Sequence, residues 1–225
     1  ASYNTELDVI HGLAQSALRA NTVHDIILMV EMGDLREGIM PGDLNAVAHE
    51  VNLLPGVSLM GIGANFACLH GAAPDQQKMN ELSCLVDSVE ASCGLRLQII
   101  SGGNSANLAF LTAGGRSGRV NNLRLGEAIL LGVDPISTVP IEGLHTDAFS
   151  IVTEVIESRL HRTDGQSILA IGHQDTDITG LTLPPGLKVS GATSDHLVIQ
   201  TFDEQLPIGA EIPCQPNYSA LMRAM

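Results

Sequence analysis

Two short polar turns, each beside an apolar run, contain the residues of this sequence that could hold an anion. The first turn, residues 101–105, follows the apolar run 95–100 and precedes a helical pattern that begins at Ala106. Glycine lets the backbone approach a ligand closely, and the N–H groups at a helix N-terminus attract phosphate. The second turn, residues 122–127, contains Arg124, whose guanidinium stays charged. A phosphate clamp beside a fixed cation suits a phosphorylated aromatic cofactor.

Strands and helices alternate along the first 145 residues and would position these turns. The alternation predicts a parallel sheet covered by helices. The chain is expected to open on a helix, with no strand before it. A small four-stranded α/β sheet, complete in itself, is one architecture that fits. The predicted helices are residues 6–19, 42–52, 75–92 and 106–111, and the predicted strands are residues 26–30, 57–62, 95–100 and 120–123.

The remainder of the chain has a different pattern. Short alternating apolar runs are separated by turn signals such as Pro184-Pro185-Gly186 and Pro207-Ile208-Gly209. That rhythm predicts antiparallel β structure. We therefore predict two domains, an α/β domain of residues 1–145 and a β domain of residues 146–225. The predicted β runs are residues 150–157, 167–171, 187–189, 196–201 and 210–212.

Composition argues against several classes of function. The net charge of −14 disfavours a nucleic-acid partner, which needs basic surface, and suits a cationic substrate. The four cysteines lack metal-ligand spacing, so no metal is expected, and they indicate the reduced thiols of a cytoplasmic protein. No apolar run approaches the roughly 18 residues of a membrane-spanning helix, so no membrane partner is expected.

The order and spacing of the motifs resemble the fold-type III pyridoxal-phosphate enzymes, alanine racemase and its relatives. Asn104-Ser105-Ala106 is similar to the Asn-Ser-Ala turn that holds the cofactor phosphate in that family. Arg124-Leu125-Gly126 is similar to its Arg-x-Gly turn, which faces the pyridine nitrogen. The stretch 32–38, with Arg36, resembles its Gly-x-x-Arg-x-Gly turn, and the stretch 61–66 also fits. Residues 141–149, together with Ser194-Asp195-His196, resemble the ornithine-racemase branch.

The resemblance implies a fold, a cofactor and a reaction. The fold is the C-terminal half of a (β/α)8 barrel followed by a small antiparallel β domain, and the intact protein is expected to be a homodimer. The reaction is removal and return of the Cα proton of an amino-acid substrate, ornithine or another. Asp195 and His196 are the implied substrate-binding residues. Those implied to bind pyridoxal 5'-phosphate are Arg36, Gly103, Asn104, Ser105, Arg124, Gly126 and Glu127.

The lysine that forms the Schiff base in this family has no match in the sequence. The two lysines are Lys78, in a helical pattern, and Lys188, in the strand-rich part. Neither lies at a strand-to-loop junction before the phosphate turn, and no residue is assigned as a catalytic base, Tyr218 and His145 included. We therefore expect a partial chain of a longer protein, inactive as a racemase alone. A phosphate-binding or scaffold protein without chemistry, and a different enzyme using the same phosphate site, stay open.

Most candidate residues also have a purely structural interpretation. Asn104 could only cap a helix, and Arg124 could be a surface ion-pair partner. Arg36 lies beside Asp34 and Glu37 in sequence, which is typical of a local ion pair on a loop. Asp195 is of a residue type common in β-turns. The spatial arrangement of the side chains decides between these interpretations.

Overall fold

The computed structural model describes residues 1–69, 73–161, 164–202 and 205–225. The chain divides into two compact units. The first consists of Ala1–Ile129 and Val133–Leu144, and the second of Leu130–Gly132 and His145–Met225. The domain boundary predicted after residue 145 stays a prediction.

The first unit is built on a five-stranded parallel sheet in which the strands follow chain order. Helices connect the strands, as the alternating pattern predicts, and the fold is part of a (β/α) barrel. The strands are β1 (Ser2–Asn4), β2 (His24–Val30), β3 (Val57–Ala64), β4 (Ile99–Asn104) and β5 (Asn122–Arg124). The helices are α1 (Leu7–Arg19), α2 (Leu44–Leu53), α3 (Gln76–Cys93), α4 (Ala106–Thr112) and α5 (Glu127–Leu131).

The expectation that no strand precedes the first helix is wrong. Residues Ser2–Asn4 pair in parallel with β2, Tyr3 lying opposite Ile27. Three residues, two of them polar and one a tyrosine, form no apolar run, so only pairing with the buried β2 makes them a strand. The sheet therefore has five strands where four were predicted.

The bounds predicted for two strands are also wrong. Gly94 ends α3 in the left-handed conformation, and the Leu97 N–H then donates to the Glu90 carboxylate, 2.9 Å away, instead of to a strand. β4 therefore begins at Ile99 and extends through the polar turn residues to Asn104. Similarly, the Asn121 side chain hydrogen-bonds the Ile100 N–H and the Gln98 carbonyl, so β5 begins at Asn122, two residues later than predicted.

The two faces of the sheet differ in character. Alternate residues of β2, such as Ile26 and Leu28, belong to an apolar core that includes residues of α1, α2 and α3. Alternation places Met29 on the opposite face. On that second face Tyr3, Ser101 and Arg124 contact one another, and we call it the polar face. The apolar core lies on the opposite, helix-covered side of the sheet.

The second unit is a six-stranded antiparallel sheet, which confirms the predicted β structure. Its buried core includes Val155, Leu169 and Leu197. No pattern in the sequence predicted the strand Leu181–Thr182 or the C-terminal helix, which Asn217 caps by accepting from the Ala220 N–H. The elements are β6 (Ile151–His161), β7 (Asp164–Leu169), β8 (Leu181–Thr182), β9 (Leu187–Ala192), β10 (Leu197–Phe202), β11 (Glu211–Pro216) and α6 (Tyr218–Ala224), in the spatial order β8-β11-β6-β7-β10-β9.

Within the described ranges, no helix is both long and apolar enough to cross a membrane. The same residues contain no group of three or more histidine, cysteine, aspartate or glutamate side chains that could hold a metal ion.

A buried carboxylate fastens α3 to the segments before β4 and β5. Glu90 is 8% exposed and accepts from the Leu97 N–H and from the Arg119 guanidinium, at 2.9 and 2.8 Å. Arg119 also contacts Asp87 on the surface of α3. Burial alone raises the pKa of Glu90, but the hydrogen bonds from Leu97 and Arg119 outweigh it and hold the pKa below its usual value.

We predict that Arg119→Met lowers the free energy of unfolding by about 2 kcal/mol at neutral pH, because it removes a charged hydrogen bond from the buried Glu90 carboxylate and leaves only the exposed Arg96 guanidinium, 3.4 Å away. The folded-state pKa of Glu90 lies below the unfolded one, so this stabilisation exists above the unfolded pKa and is lost as pH falls through the folded pKa. Urea unfolding at neutral pH and below about pH 4 measures it. Asp87→Asn, at the exposed partner, is the control. The prediction would be contradicted if the difference in free energy of unfolding between Arg119→Met and the unsubstituted chain were the same at both pH values.

Candidate cofactor site

Ser105 lies at the end of β4 with its hydroxyl in a pocket of backbone donors. The side chain is buried, and its Oγ accepts from the N–H groups of Gly126 and Ala128 at 3.2 and 3.1 Å. The hydroxyl proton has no acceptor among the described residues. A serine hydroxyl can donate as well as accept, so an anion placed here would receive that proton. Ser105 therefore links the two predicted turns, and anion binding there stays a prediction.

Glycines make room around this site. Gly103 has a φ of +125°, and a Cβ there would lie 1.9 Å from the Asn107 side-chain oxygen, so no larger residue fits. A Cβ on Gly126 would instead enter open space. Gly126 therefore leaves a cradle beside the Ser105 hydroxyl that a side chain would fill. The helices that follow, α4 and α5, have only seven and five residues, so the helix dipole at this site is small.

Asn104 joins the turn to the segment after β3. Its Nδ2 donates to the Phe66 carbonyl at 2.8 Å and to the Cys68 sulfur at 2.9 Å, and its Oδ1 accepts from the Ala106 N–H. Burial is the main reason that the pKa of Cys68 is raised. The Asn104 side chain is thus fully used in holding the turn, which supports a structural role; cofactor binding by Asn104 remains a proposal.

Arg124 lies at the end of β5 and uses four of its five N–H groups on the protein. Nη1 donates to the Ser101 carbonyl and hydroxyl, and Nη2 donates to the Ala64 carbonyl at 2.9 Å and to the Asn65 side-chain oxygen. The Nε–H has no acceptor in the part of the chain that the structure describes. Arg124 is therefore a fixed cation with one donor left for a ligand, and the surface ion pair considered from the sequence is not formed.

Tyr3 covers the guanidinium of Arg124. Its ring centroid lies 5.0 Å from the Arg124 Cζ, within the range of a cation–π interaction, and its hydroxyl lies 3.3 Å from the Ser101 Oγ. Tyr3 also lines a cavity of about 230 Å³ beside the sheet, together with Met29 and Glu37. The cavity therefore lies beside the Tyr3 ring that covers Arg124, and Arg124 itself does not line it.

Arg36 forms the ion pair that its sequence neighbours suggested. Its guanidinium donates two hydrogen bonds to Glu37, one of them 2.7 Å long, and lies 4.0 Å from Asp34. The hydrogen bond from Arg36 is the largest reason that the pKa of Glu37 is lowered. Glu37 also accepts from the side-chain amide of Asn65. Arg36 and Arg124 are thereby linked through Glu37 and Asn65, although Arg36 itself makes no direct contact with the phosphate turn.

Glu127 follows the cradle and begins α5. The pKa of this carboxyl is raised, first by burial and then by the negative charge of Asp134. Asp134 is 9% exposed, and its Oδ2 accepts from the N–H and hydroxyl of Ser137. A carboxylate beside a bound anion repels that anion and weakens its binding. The geometry therefore supports Glu127 less than Ser105 as a cofactor-binding residue. The role of Glu127 stays a prediction.

The two predicted substrate-binding residues lie in the second unit. Asp195 and His196 occupy the exposed turn between β9 and β10, where the Asp195 carboxylate accepts from Ser194 and the His196 N–H donates to Thr193. These contacts match the β-turn interpretation, and substrate binding remains a prediction. His145 is exposed and lies 4.0 Å from the Asp147 carboxylate.

The two lysines have separate surroundings. Lys78 lies in the first turn of α3 and its Nζ donates to the Met32 carbonyl at 2.7 Å. Lys188 lies on β9 and is exposed. The Lys78 amine is thus hydrogen-bonded to the segment that follows β2. Within the described residues of the first unit, it makes no hydrogen bond to residues 101–105.

Sequence analysis missed Tyr3, Glu37, Asn65 and Ser101 as members of the site. Asn65 was within a quoted motif, and Glu37 follows Arg36 directly, so their polarity beside strand ends was an available signal. Tyr3 gave no signal, because the strand that carries it was not predicted.

Comparison with known sequences agrees with this arrangement. Residues 5–135 match the family described as alanine racemase, N-terminal domain. The chain is 32% identical to the ornithine racemase of Acetoanaerobium sticklandii, with 99% of this chain and 70% of that protein covered. It is also 32% identical to the lysine racemase of Thermotoga maritima, with 89% of this chain and 62% of that protein covered.

Comparison with solved structures gives the same fold. The alanine racemase of Clostridium difficile 630 in complex with cycloserine superimposes with a TM-score of 0.72 at 17% identity, covering 99% of this chain and 62% of that one. The alanine racemase of Bartonella henselae with covalently bound pyridoxal phosphate gives 0.65 at 18% identity, covering 99% and 64%. The chain thus spans a little under two thirds of each of these structures. With its sheet, its two turns and these matches, the chain belongs to the alanine racemase family.

Proposed function

We propose that this chain carries the cofactor-binding part of a pyridoxal-phosphate-dependent amino-acid racemase that acts on ornithine or a similar basic amino acid. The observation that carries the proposal is a pair of donors, the Ser105 hydroxyl and the Arg124 Nε–H, which have no acceptor among the described residues and lie at the ends of the neighbouring strands β4 and β5. The ornithine and lysine racemases that the chain resembles, and its net charge of −14, support a cationic amino acid as substrate.

The residues present fit the two polar ends of this cofactor. The phosphate would take the open space at Gly126, beside the Ser105 hydroxyl, which the Gly126 and Ala128 N–H groups hold in place. The ring nitrogen would accept from Arg124. Tyr3 and the backbone acceptors hold that guanidinium in place before any ligand arrives, and such preorganisation lowers the cost of binding.

The chemistry then depends on what Arg124 can and cannot do. Bound pyridoxal phosphate withdraws electrons from an amino acid and so makes its Cα proton acidic. Arg124 donates a hydrogen bond but does not release its proton, so it holds a nitrogen acceptor in the unprotonated form. Arg124 therefore limits the electron withdrawal and favours return of the proton to Cα over transamination. Racemisation also needs one base on each side of the substrate, and neither base is assigned.

We predict that the chain binds pyridoxal phosphate at least about tenfold more tightly than unphosphorylated pyridoxal, because Ser105 and the Gly126 cradle are built for an anion. Ser105→Ala is expected to weaken pyridoxal phosphate binding about tenfold and pyridoxal binding little. Ser92→Ala is the matched control, since the Ser92 hydroxyl donates within α3 to Val89. Fluorescence or calorimetric titration measures the affinities. Equal affinity for the two ligands would show that the phosphate site is misplaced.

The substrate class can be tested with stable, borohydride-reduced conjugates of pyridoxal phosphate and an amino acid. We expect the conjugates of L-ornithine and L-lysine to bind at least about tenfold more tightly than that of L-norleucine, which has a similar length but no terminal amine. Calorimetry at two salt concentrations measures the difference, which should shrink at high salt. Equal affinities would leave cofactor binding intact and contradict the basic substrate.

A phosphate-ligand-binding protein without chemistry is a second candidate, supported by the hydrogen bond that occupies Lys78. We predict that borohydride reduction in the presence of pyridoxal phosphate labels Lys78 and Lys188 no more than it labels the exposed lysines of an unrelated protein. Peptide mapping after reduction measures the labelling, with Lys78→Arg and Lys188→Arg as controls. Stoichiometric labelling of Lys78 would contradict the prediction and favour catalysis by this chain.

A further inference from the structure

We propose that Glu37 and Asn65 are positioning residues that hold Arg124 in the orientation in which its Nε–H faces the ligand. The inference rests on the proposed function of the site. It concerns a relay of four side chains, which runs from Arg36 through Glu37 and Asn65 to Arg124.

Asn65 is the central member of the relay. It follows β3, is 7% exposed, and uses both ends of its amide: Nδ2 donates to Glu37, and Oδ1 accepts from the Arg124 Nη2. Rotating the amide by half a turn would set its NH2 group against the guanidinium and its oxygen against the carboxylate. Both contacts would be repulsive, so the two neighbours fix the direction of the amide.

Glu37 sets the direction of the hydrogen bonds along the relay. The hydrogen bond from Arg36 lowers the pKa of Glu37, so its side chain is a carboxylate at neutral pH. A carboxylate that accepts from the Asn65 NH2 polarises the amide and makes its oxygen a better acceptor for Arg124. The charges then alternate along the relay, from the cation of Arg36 to the anion of Glu37, across the amide dipole and on to the cation of Arg124.

The orientation of Arg124 depends on this acceptor. Its other acceptors are the Ala64 carbonyl and the carbonyl and hydroxyl of Ser101. If Asn65 stops accepting, one Nη2–H loses its partner, and the planar guanidinium must turn to recover one. Turning moves the Nε–H as well, because all five donors share one rigid plane.

The loop that contains Glu37 is held in place by other residues. The effect of Glu37 on the orientation of Arg124 can therefore be tested without unfolding the loop. The Glu31 carboxylate accepts from the N–H groups of Gly33 and Leu35. The Asp34 carboxylate accepts from the Cys68 and Leu69 N–H groups at 2.8 and 2.9 Å. The conformation of the loop therefore does not rest on Glu37, and a substitution there tests the relay.

The test is a double-substitution cycle. Glu37→Gln sets an NH2 group against one of the two Arg36 donors, and against Asn65 as well where it replaces Oε1, while Asn65→Asp sets a second carboxylate against Glu37. In the double variant the contacts on the path to Arg124 are again donor to acceptor: the carboxylate at 65 accepts from Arg124 and from the amide NH2 at 37, and the amide oxygen at 37 accepts from the Arg36 Nε–H. The Arg36 Nη2 contact is lost in Glu37→Gln with or without the second substitution. Glu50→Gln and Asn45→Asp, at exposed hydrogen-bonded positions, are the matched controls.

The readout is the ratio of affinities for pyridoxal phosphate and for its 1-deaza analogue, which has a ring C–H in place of the nitrogen. We expect each single variant to lower this preference about tenfold, and the double variant to restore it to within about threefold of the unsubstituted chain. Affinity for the deaza analogue should change little, because that ligand does not accept from Arg124.

Three outcomes would overturn the inference. Equal losses for both ligands would show that Glu37 and Asn65 only support the structure. A double variant whose loss of preference equals the product of the two single-variant losses would show that the residues do not act together. Absence of pyridoxal phosphate binding to the unsubstituted chain would overturn the proposed function and this inference with it, whereas the first two outcomes leave the function standing.

Discussion

A single cation reaches across three parallel strands, and the polar face of the first unit is arranged around it. Arg124 extends from β5 past Ser101 on β4 to the carbonyl of Ala64 at the end of β3. A cation removed from bulk water must be surrounded by acceptors, or its burial costs several kcal/mol. Two strand carbonyls, a hydroxyl and an amide supply those acceptors, and the Tyr3 ring covers the guanidinium.

Small residues on the intervening strands make this reach possible. Ser101 is fully buried between Arg124 and Tyr3, and a Cβ on Gly63 would lie 2.7 Å from the Met29 sulfur. A larger side chain at either position would occupy the space through which the contacts run. The opposite face of the same strands is filled with isoleucine, leucine and valine against the helices. Alternation along each strand thus separates a rigid core from a polar face that carries the ligand-binding groups.

The proposed anion site rests on a hydroxyl and on open space. The helix predicted over residues 106–111 is Ala106–Thr112 and α5 has five residues, so the helix dipole is small at both. The Ser105 hydroxyl, which two backbone N–H groups hold in place, and the space beside Gly126 support the proposed position of the phosphate. Asn104, which the family motif places at the phosphate, holds the turn against the segment after β3.

The sequence by itself determined the alternation of strands and helices, the antiparallel second part and the two turns with Ser105 and Arg124. Local patterns contain that information, because apolar periodicity and turn residues act over a few positions. Only the tertiary structure decided that β1 exists and that β4 includes its glycines. It also decided that Asn65 and Tyr3 contact Arg124 and that Glu37 contacts Asn65. These features arise from contacts between residues far apart in the chain, and a polar residue shows its partner only once the strands are paired.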